Sequence, residues 1–329
     1  MAFLLRRLAF YLVAAWVAVT ANFFIPRAMP GNAVQAILDK FPTLRPSAYK
    51  ALEAMLGVGH PGSLLHQYWA YLVNVGHFNF GTDVSQYPSS VSTVLGEAIP
   101  WTLTLVGTAT VIAFLLGTLL GILAGWRYGG WLDGMLPGLM FLQATPYFFL
   151  ALILIQVLGI SLHWFPVAEA YDGINYTPGW TWGYITNVID HGTLPALTIV
   201  ATSVAGWMLQ MRNVMVTTTG EDYVVAAQAK GLSNRRVIFT YAARNALLPQ
   251  LQGFGLALGF VVAGALVMEI VFSYPGIGYL LLNAVSAKDT PVMQCIFLLI
   301  TMAVLVANFL IDLVLVFVDP RVRSREATR

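Results

Sequence analysis

WTLTLVGTATVIAFLLGTLLGILAG, from Trp101 to Gly125, runs 25 residues without a single charged side chain or histidine. A helix rises 1.5 Å per residue, so this stretch reaches about 37 Å, beyond the roughly 30 Å thickness of a bilayer's hydrocarbon core. Only a helix satisfies its own backbone hydrogen bonds in a single crossing. Five more segments meet the same test: Leu8–Ile25, Met135–Leu158, Leu194–Met211, Leu251–Phe272 and Val292–Val318. Only the last two contain a charged residue, Glu269 and Asp312. Of 329 residues, 58% are hydrophobic and 10% charged, against about 25% charged in an ordinary soluble domain. The sequence therefore predicts an all-α integral membrane protein of six spans.

Charge placement sets the expected orientation, because Lys and Arg concentrate in short cytoplasmic flanks. With the N-terminus inside, Arg6, Arg7, Arg127, Arg212, Lys230, Arg235, Arg236, Arg244, Arg321, Arg323, Arg325 and Arg329 fall on the cytoplasmic side. The short outer loops hold Lys288 alone. Arg27, Lys40, Arg45 and Lys50 lie in a first outer segment long enough to escape the rule. Both termini are expected in the cytoplasm. Arg6 and Arg7 before an apolar run, with Val19 and Ala21 spaced as at a cleavage site, also fit a signal peptide. Removing it would leave five spans and misplace one end of the charge pattern, so the span is kept.

Residues 26–100 form an outer segment with helical stretches over Ser47–Leu56 and Leu64–Val75, too rich in Leu, Tyr and Trp to be disordered. The loop Gly159–Thr193 carries Trp164, Phe165, Trp180, Trp182 and Tyr184 and no Lys or Arg, which suits the headgroup level. Gly117, Gly121 and Gly125, four apart, put small residues on one face where another helix can approach. Pro137 and Pro146 predict a kink in the third span, and Pro195 marks the start of the fourth.

The longest inner segment is RNVMVTTTGEDYVVAAQAKGLSNRRVIFTYAARNALLPQ, Arg212–Gln250. Glu221–Lys230 has helix formers with acids in the first turn, Gly231 fits a C-terminal cap, and Ser233 fits the N-cap of a second helix ending before Pro249. Ala226, Ala227 and Ala229 give this helix a small-residue surface suited to a partner's groove. An amphipathic connector lying on the membrane is the alternative.

At this loop the chain resembles the permease subunits of binding-protein-dependent ABC importers. Ala226-Ala227 followed by Gly231 is similar to their EAA motif, whose short helix docks on the ATPase subunits. Glu221-Asp222-Tyr223, Ala229-Lys230-Gly231-Leu232 and Arg244-Asn245-Ala246-Leu247-Leu248-Pro249 resemble the dipeptide, oligopeptide and nickel branch. Val225 stands where the motif has Glu, with Glu221 the nearest acid, and Gly231 to Pro249 is longer than the general spacing. Met29-Pro30-Gly31 resembles the family's Leu-Pro-Gly turn, with Asn32 in place of its acid. Glu269, Phe272, Ser273, Pro275, Gly276 and Gly278 resemble its E-x-x-F-S-x-P-G-x-G segment, Asn308 and Asp312 its last-span N-x-x-x-D, and Asp319-Pro320-Arg321 its ending.

The resemblance implies the type I importer fold: a first transmembrane helix over 1–25, an extracytoplasmic segment over 26–100, a five-helix permease domain over 101–318 with coupling loop 212–250, and a cytoplasmic tail over 319–329. It implies coupling to the ATPases through Glu221, Ala226, Ala227, Lys230, Gly231, Asn245 and Pro249. Glu269, Pro275, Gly276, Gly278, Asn308 and Asp312 are expected in helix packing or gating. The implied partners are a homologous second permease, two ATPase subunits and an extracytoplasmic substrate-binding protein, in a prokaryotic plasma membrane and with no nucleic acid. Peptides, oligosaccharides and nickel chelates are all cargoes of this branch, and peptides are the commonest.

No Gly-Lys occurs anywhere in the chain, so a phosphate-cradling P-loop is excluded, and ATP with its Mg is expected on separate subunits. Glu269 and Asp312 would suit an ion-coupled carrier, but each lies near the end of its span, where polar groups bond between helices. His60, His66, His77, His163 and His191 match no metal-ligand spacing, and neither metal nor cofactor is expected on this chain. Cys295 reads as a small buried apolar residue, and no paired catalytic groups are evident.

Overall fold

The structure is a computed structural model and describes residues 2–28, 63–261 and 266–318. The turn Met29–Asn32, the helix expected over Ser47–Leu56, His60 and the ending Asp319–Arg321 lie outside the described residues. Among the described residues four helices are each long and apolar enough to cross a membrane: Arg6–Phe24, Val91–Trp126, Trp182–Thr219 and Thr290–Leu313. Two further helices, Trp131–Ala144 and Tyr147–Ser161, are long and apolar enough only when taken together, and their axes differ by 96°. The expected fifth span, Leu251–Phe272, is found as Ala243–Gly259 and Leu266–Val271, on either side of residues outside the described set. We number the helices α1 (Ala2–Phe24), α2 (Leu64–Gly76), α3 (Val91–Trp126), α4 (Trp131–Ala144), α5 (Tyr147–Ser161), α6 (Trp182–Thr219), α7 (Asp222–Ala229), α8 (Ala243–Gly259), α9 (Leu266–Val271), α10 (Ile277–Ser286) and α11 (Thr290–Val318).

The third span is two helices rather than one kinked helix, and the break is at Pro146. Having no N–H, Pro146 cannot bond the carbonyl of Leu142, and it forces the preceding Thr145 into extended geometry (φ −72°, ψ 129°). Pro137 sits inside α4 without breaking it. The fourth span begins at Trp182, twelve residues before Leu194, so Pro195 is interior and does not start the helix. Thr181 starts it, its hydroxyl accepting the Tyr184 N–H at 3.4 Å. At 38 residues α6 is about 57 Å long, so it extends well beyond any hydrocarbon core. The second inner helix does not end before Pro249 either, because α8 carries on through it to Gly259.

The chain forms two compact units, Met1–Thr102 with Pro275–Arg329, and Leu103–Tyr274. In the first, α1 lies along α11. Tyr11 Oη donates to Asp312 Oδ2 at 2.7 Å, Arg7 pairs with the same carboxylate, and Asn22 Nδ2 donates to the Gln294 carbonyl at 2.7 Å. Helix α2 matches the expected stretch at Leu64 and is capped by Ser63; Tyr68 and Tyr71 set their rings 5.2 and 5.5 Å from that of the buried Phe23.

In the second unit α3 and α6 lie in backbone contact, which the four-residue glycine spacing makes possible. A Cβ on Gly121 would stand 2.6 Å from both the Met208 carbonyl and Met211 Cβ, and one on Gly125 would stand 2.8 Å from the Arg212 carbonyl. On the α6 side this seam is built of Val204, Met208, Met211 and Met215, all buried.

Candidate coupling site

Helix α7 is short, so its ends fix it more than its length does. Glu221 occupies the N-cap and Asp222 the first turn, where a negative charge meets the positive end of the helix dipole. At the other end the Gly231 N–H donates to the Gln228 carbonyl at 2.9 Å, and the Leu232 N–H reaches back to the Ala227 carbonyl at 3.4 Å. This is the Schellman arrangement, which needs a left-handed residue just past the helix, and Gly231 supplies it at φ +70°.

One edge of α7 is pinned. Val224 and Ala227 are buried in an apolar cluster with Ile122 of α3, Met211 and Met215 of α6, Val237 and Ala242 of the wide turn Val237–Ala242, and Ala243 and Ala246 of α8. Ala227, 3% exposed, therefore anchors the helix and does not belong to an outward small-residue surface; a one-methyl side chain at that position lets α7 sit close against its neighbours. The free surface includes Tyr223, Val225, Ala226, Gln228, Ala229 and Lys230, with Val225 half exposed where the motif has its acid. Asn245 and Pro249 fall on the exposed side of α8, while Ala243, Ala246 and Gln250 on its other side are buried. A rigid cluster thus ties one exposed helical finger to α3, α6 and α8.

Two polar clips reinforce this unit, and neither was foreseen. Arg212 near the end of α6 makes a two-pronged pair with Asp133 in the first turn of α4: Nε donates to Oδ1 and Nη2 to Oδ2, both at 2.9 Å. The Gly129 N–H also donates to Asp133 Oδ2 at 2.9 Å, and the guanidinium lies 4.7 Å from the Tyr128 ring centroid. Gln250 is fully buried, and its Nε2 donates to the Trp207 carbonyl at 2.9 Å and to Thr118 Oγ1 at 3.2 Å. The only hint in the sequence was opposite charge near the inner ends of the third and fourth spans.

The other expected residues divide between the two units. Glu269 is buried in α9, and its backbone carbonyl accepts the Tyr274 N–H at 2.7 Å. Pro275 and the N-cap Gly276 lead into α10, Gly278 lies in its first turn, and the helix's first N–H, from Ile277, donates to Thr102 Oγ1 at 2.8 Å. Asn308 is half-buried on α11, and Asp312 bonds between helices as expected, to Tyr11 and Arg7 of α1. Among the described residues no three His, Cys, Asp or Glu side chains gather as metal ligands would.

Residues 117–324 match the family described as binding-protein-dependent transport system inner membrane component. The chain is 32% identical over 338 residues to the di/tripeptide transport system permease protein of Pseudomonas aeruginosa, covering 99% of both. It is 30% identical over 302 residues, 92% of both, to the oligopeptide transport system permease protein of Bacillus subtilis. Against the dipeptide transport system permease protein of Lactococcus lactis it is 29% identical over 322 residues, 98% of this chain and 99% of that one.

Proposed function

Because the chain belongs to the family of binding-protein-dependent transport system inner membrane components, we propose that it is a membrane-spanning subunit of an ATP-driven importer of di- or oligopeptides. The observation that carries the peptide reading is the near end-to-end similarity to three peptide permeases. A homologous second permease, two ATPase subunits carrying ATP and Mg, and an extracytoplasmic binding protein complete the assembly. Both termini and α7 face the cytoplasm, a reading supported by the twelve Lys and Arg residues on that side.

ATP binding closes the ATPase pair, and the exposed edge of α7 takes up that movement. Tyr223, Val225, Ala226, Ala229 and Lys230 form the contact, with Glu221 as the acid at its rim. The buried edge, Val224 and Ala227, passes the displacement into α3, α6 and α8, because a close-packed cluster moves as a body and does not deform. No chemistry on this chain is needed; the coupling is mechanical.

Two substitutions separate docking from folding. Ala226→Asp places a charge on the exposed edge and leaves the cluster alone, whereas Ala227→Asp buries a charge and disrupts it. Tagged wild-type chain purified from gently solubilised membranes is expected to bring ATPase chains and a second permease. Ala226→Asp is expected to keep the permease partner and lose the ATPases, and Ala227→Asp to lower the yield of folded chain. ATPases retained at wild-type levels by Ala226→Asp would contradict the coupling surface, and recovery of the wild type alone would contradict the importer reading.

A further inference from the structure

The face of α6 opposite its seam with α3 is polar and small where an apolar one would be expected. Ser203, Gly206 and Gln210 follow one another at three- and four-residue steps, so they lie on one face, turned away from the buried Val204, Met208, Met211 and Met215. Two glycines beside this face are each covered by a primary amide. A Cβ on Gly206 would meet Gln143 Nε2 at 2.9 Å, and one on Gly253 of α8 would meet Gln210 Nε2 at 3.5 Å and Oε1 at 3.6 Å. Gln143 and Gln210 are both exposed.

Their position along the helices makes that exposure informative. Gly206 lies six residues from Arg212, about 9 Å further along α6, within the stretch whose apolar sequence reads as the span. Gln143 is the third residue before Pro146, where the crossing breaks into two helices. An uncapped amide and an interrupted backbone at membrane depth are tolerated against protein or an aqueous cavity, not against hydrocarbon. Discontinuous helices at such depth are where membrane carriers place their substrate contacts.

We infer that the side-chain amides of Gln143 and Gln210, set on the polar stripe of α6 beside the break between α4 and α5, hydrogen-bond the main chain of the peptide in transit. This rests on the peptide-importer reading above. A primary amide offers two donors and an acceptor, the same groups that every peptide bond displays, and it carries no charge. Gln143 and Gln210 can therefore hold a peptide whatever its side chains, and Gly206 and Gly253 leave room for them to lie flat against the helices.

The test uses the assembled importer in proteoliposomes, with Cys295→Ser removing the native thiol, and single cysteines at Gln143→Cys, Gln210→Cys and, as an apolar control, the exposed Leu115→Cys. A charged, membrane-impermeant thiol reagent is expected to label the first two and spare the third. Trialanine at about ten times its half-saturating concentration is expected to slow that labelling about tenfold by occupancy. ATP-dependent trialanine uptake by the wild type is measured in parallel. Uptake without protection at either position, or no labelling at either, overturns the assignment and leaves the importer reading standing; the second result with a cross-link to the other permease marks the stripe as a subunit interface. Absence of uptake overturns both. Should the cysteine variants fail to assemble, Gln143→Asn and Gln210→Asn shorten the amides by one methylene: a KM for trialanine raised severalfold at unchanged maximal rate supports the assignment, and an unchanged KM overturns it.

Discussion

Asp289 is fully buried at the N-terminus of α11, and three backbone N–H groups aim at it: Val84 at 2.6 Å and Ser85 at 3.2 Å to Oδ2, and Val292 at 3.2 Å to Oδ1. Burial pushes its carboxyl up to about 6; the Val292 and Val84 amides pull against this, and the neighbouring Asp83 carboxyl adds to the rise. The folded chain therefore holds a proton that the unfolded chain releases near 3.8, so the stabilisation is complete below that value and lost as the pH rises through about 6. The thermal midpoint of the purified protein should fall between about pH 5 and about pH 7, and Asp289→Asn, which keeps an acceptor and cannot ionise, should flatten that slope. An equal slope in both proteins would show that another group titrates. Asp289-Thr290-Pro291 could have been read as a helix start, an N-cap followed by a proline in the first turn. Its partners could not, since Val84 lies some 200 residues earlier and only the fold joins them. Arg212 and Asp133 were likewise visible as charges near span ends and invisible as a pair, and Ala227, expected outward by its motif, faces inward because helical spacing puts it beside Val224.

At the scale of elements, the glycine spacing was the most legible feature, because a face made of hydrogen atoms has few uses besides close approach. Gly121→Ala forces a methyl group to 2.6 Å from the Met208 carbonyl and from Met211 Cβ, both held by helix backbone, and should cost about 1–3 kcal/mol as overpacking. Gly138→Ala in α4 meets nothing within 4 Å and should be neutral or gain about 1 kcal/mol from helix propensity. The two midpoints measured side by side check this; equal shifts would deny the close α3–α6 seam. Prolines were legible as perturbations, but their outcome was not. Pro146 breaks a crossing because Thr145 before it goes extended, while Pro195 and Pro249 sit inside α6 and α8, where one forfeited bond is outweighed by the rest of a long helix. Four of the apolar windows fall on single long helices and the third-span window falls on a bent pair, but the window ends are poorly placed, because α3 and α6 run on past the apolar stretch into polar sequence that remains helical.

For the whole molecule, composition alone required a bilayer, and the inner loop with its resemblance pointed to an importer; the residues facing a pathway were not legible, since an exposed glutamine in an apolar window means little until its surroundings are known. The exposed edge of α7 and the polar stripe of α6 belong to the same compact unit, so a push on one end of α6 and a peptide contact near its middle act on a single helix. The chain moves peptide only when ATPases act on it, on this account, and Asp312 serves packing through Tyr11 and Arg7 and carries no ions. Uptake of radiolabelled trialanine by proteoliposomes holding either this chain alone or the complete importer tests that directly. The account predicts accumulation only by the complete importer, only with ATP on the α7 side, and unaffected by a protonophore. Accumulation by this chain alone, driven by a proton gradient and abolished in Asp312→Asn, would contradict it.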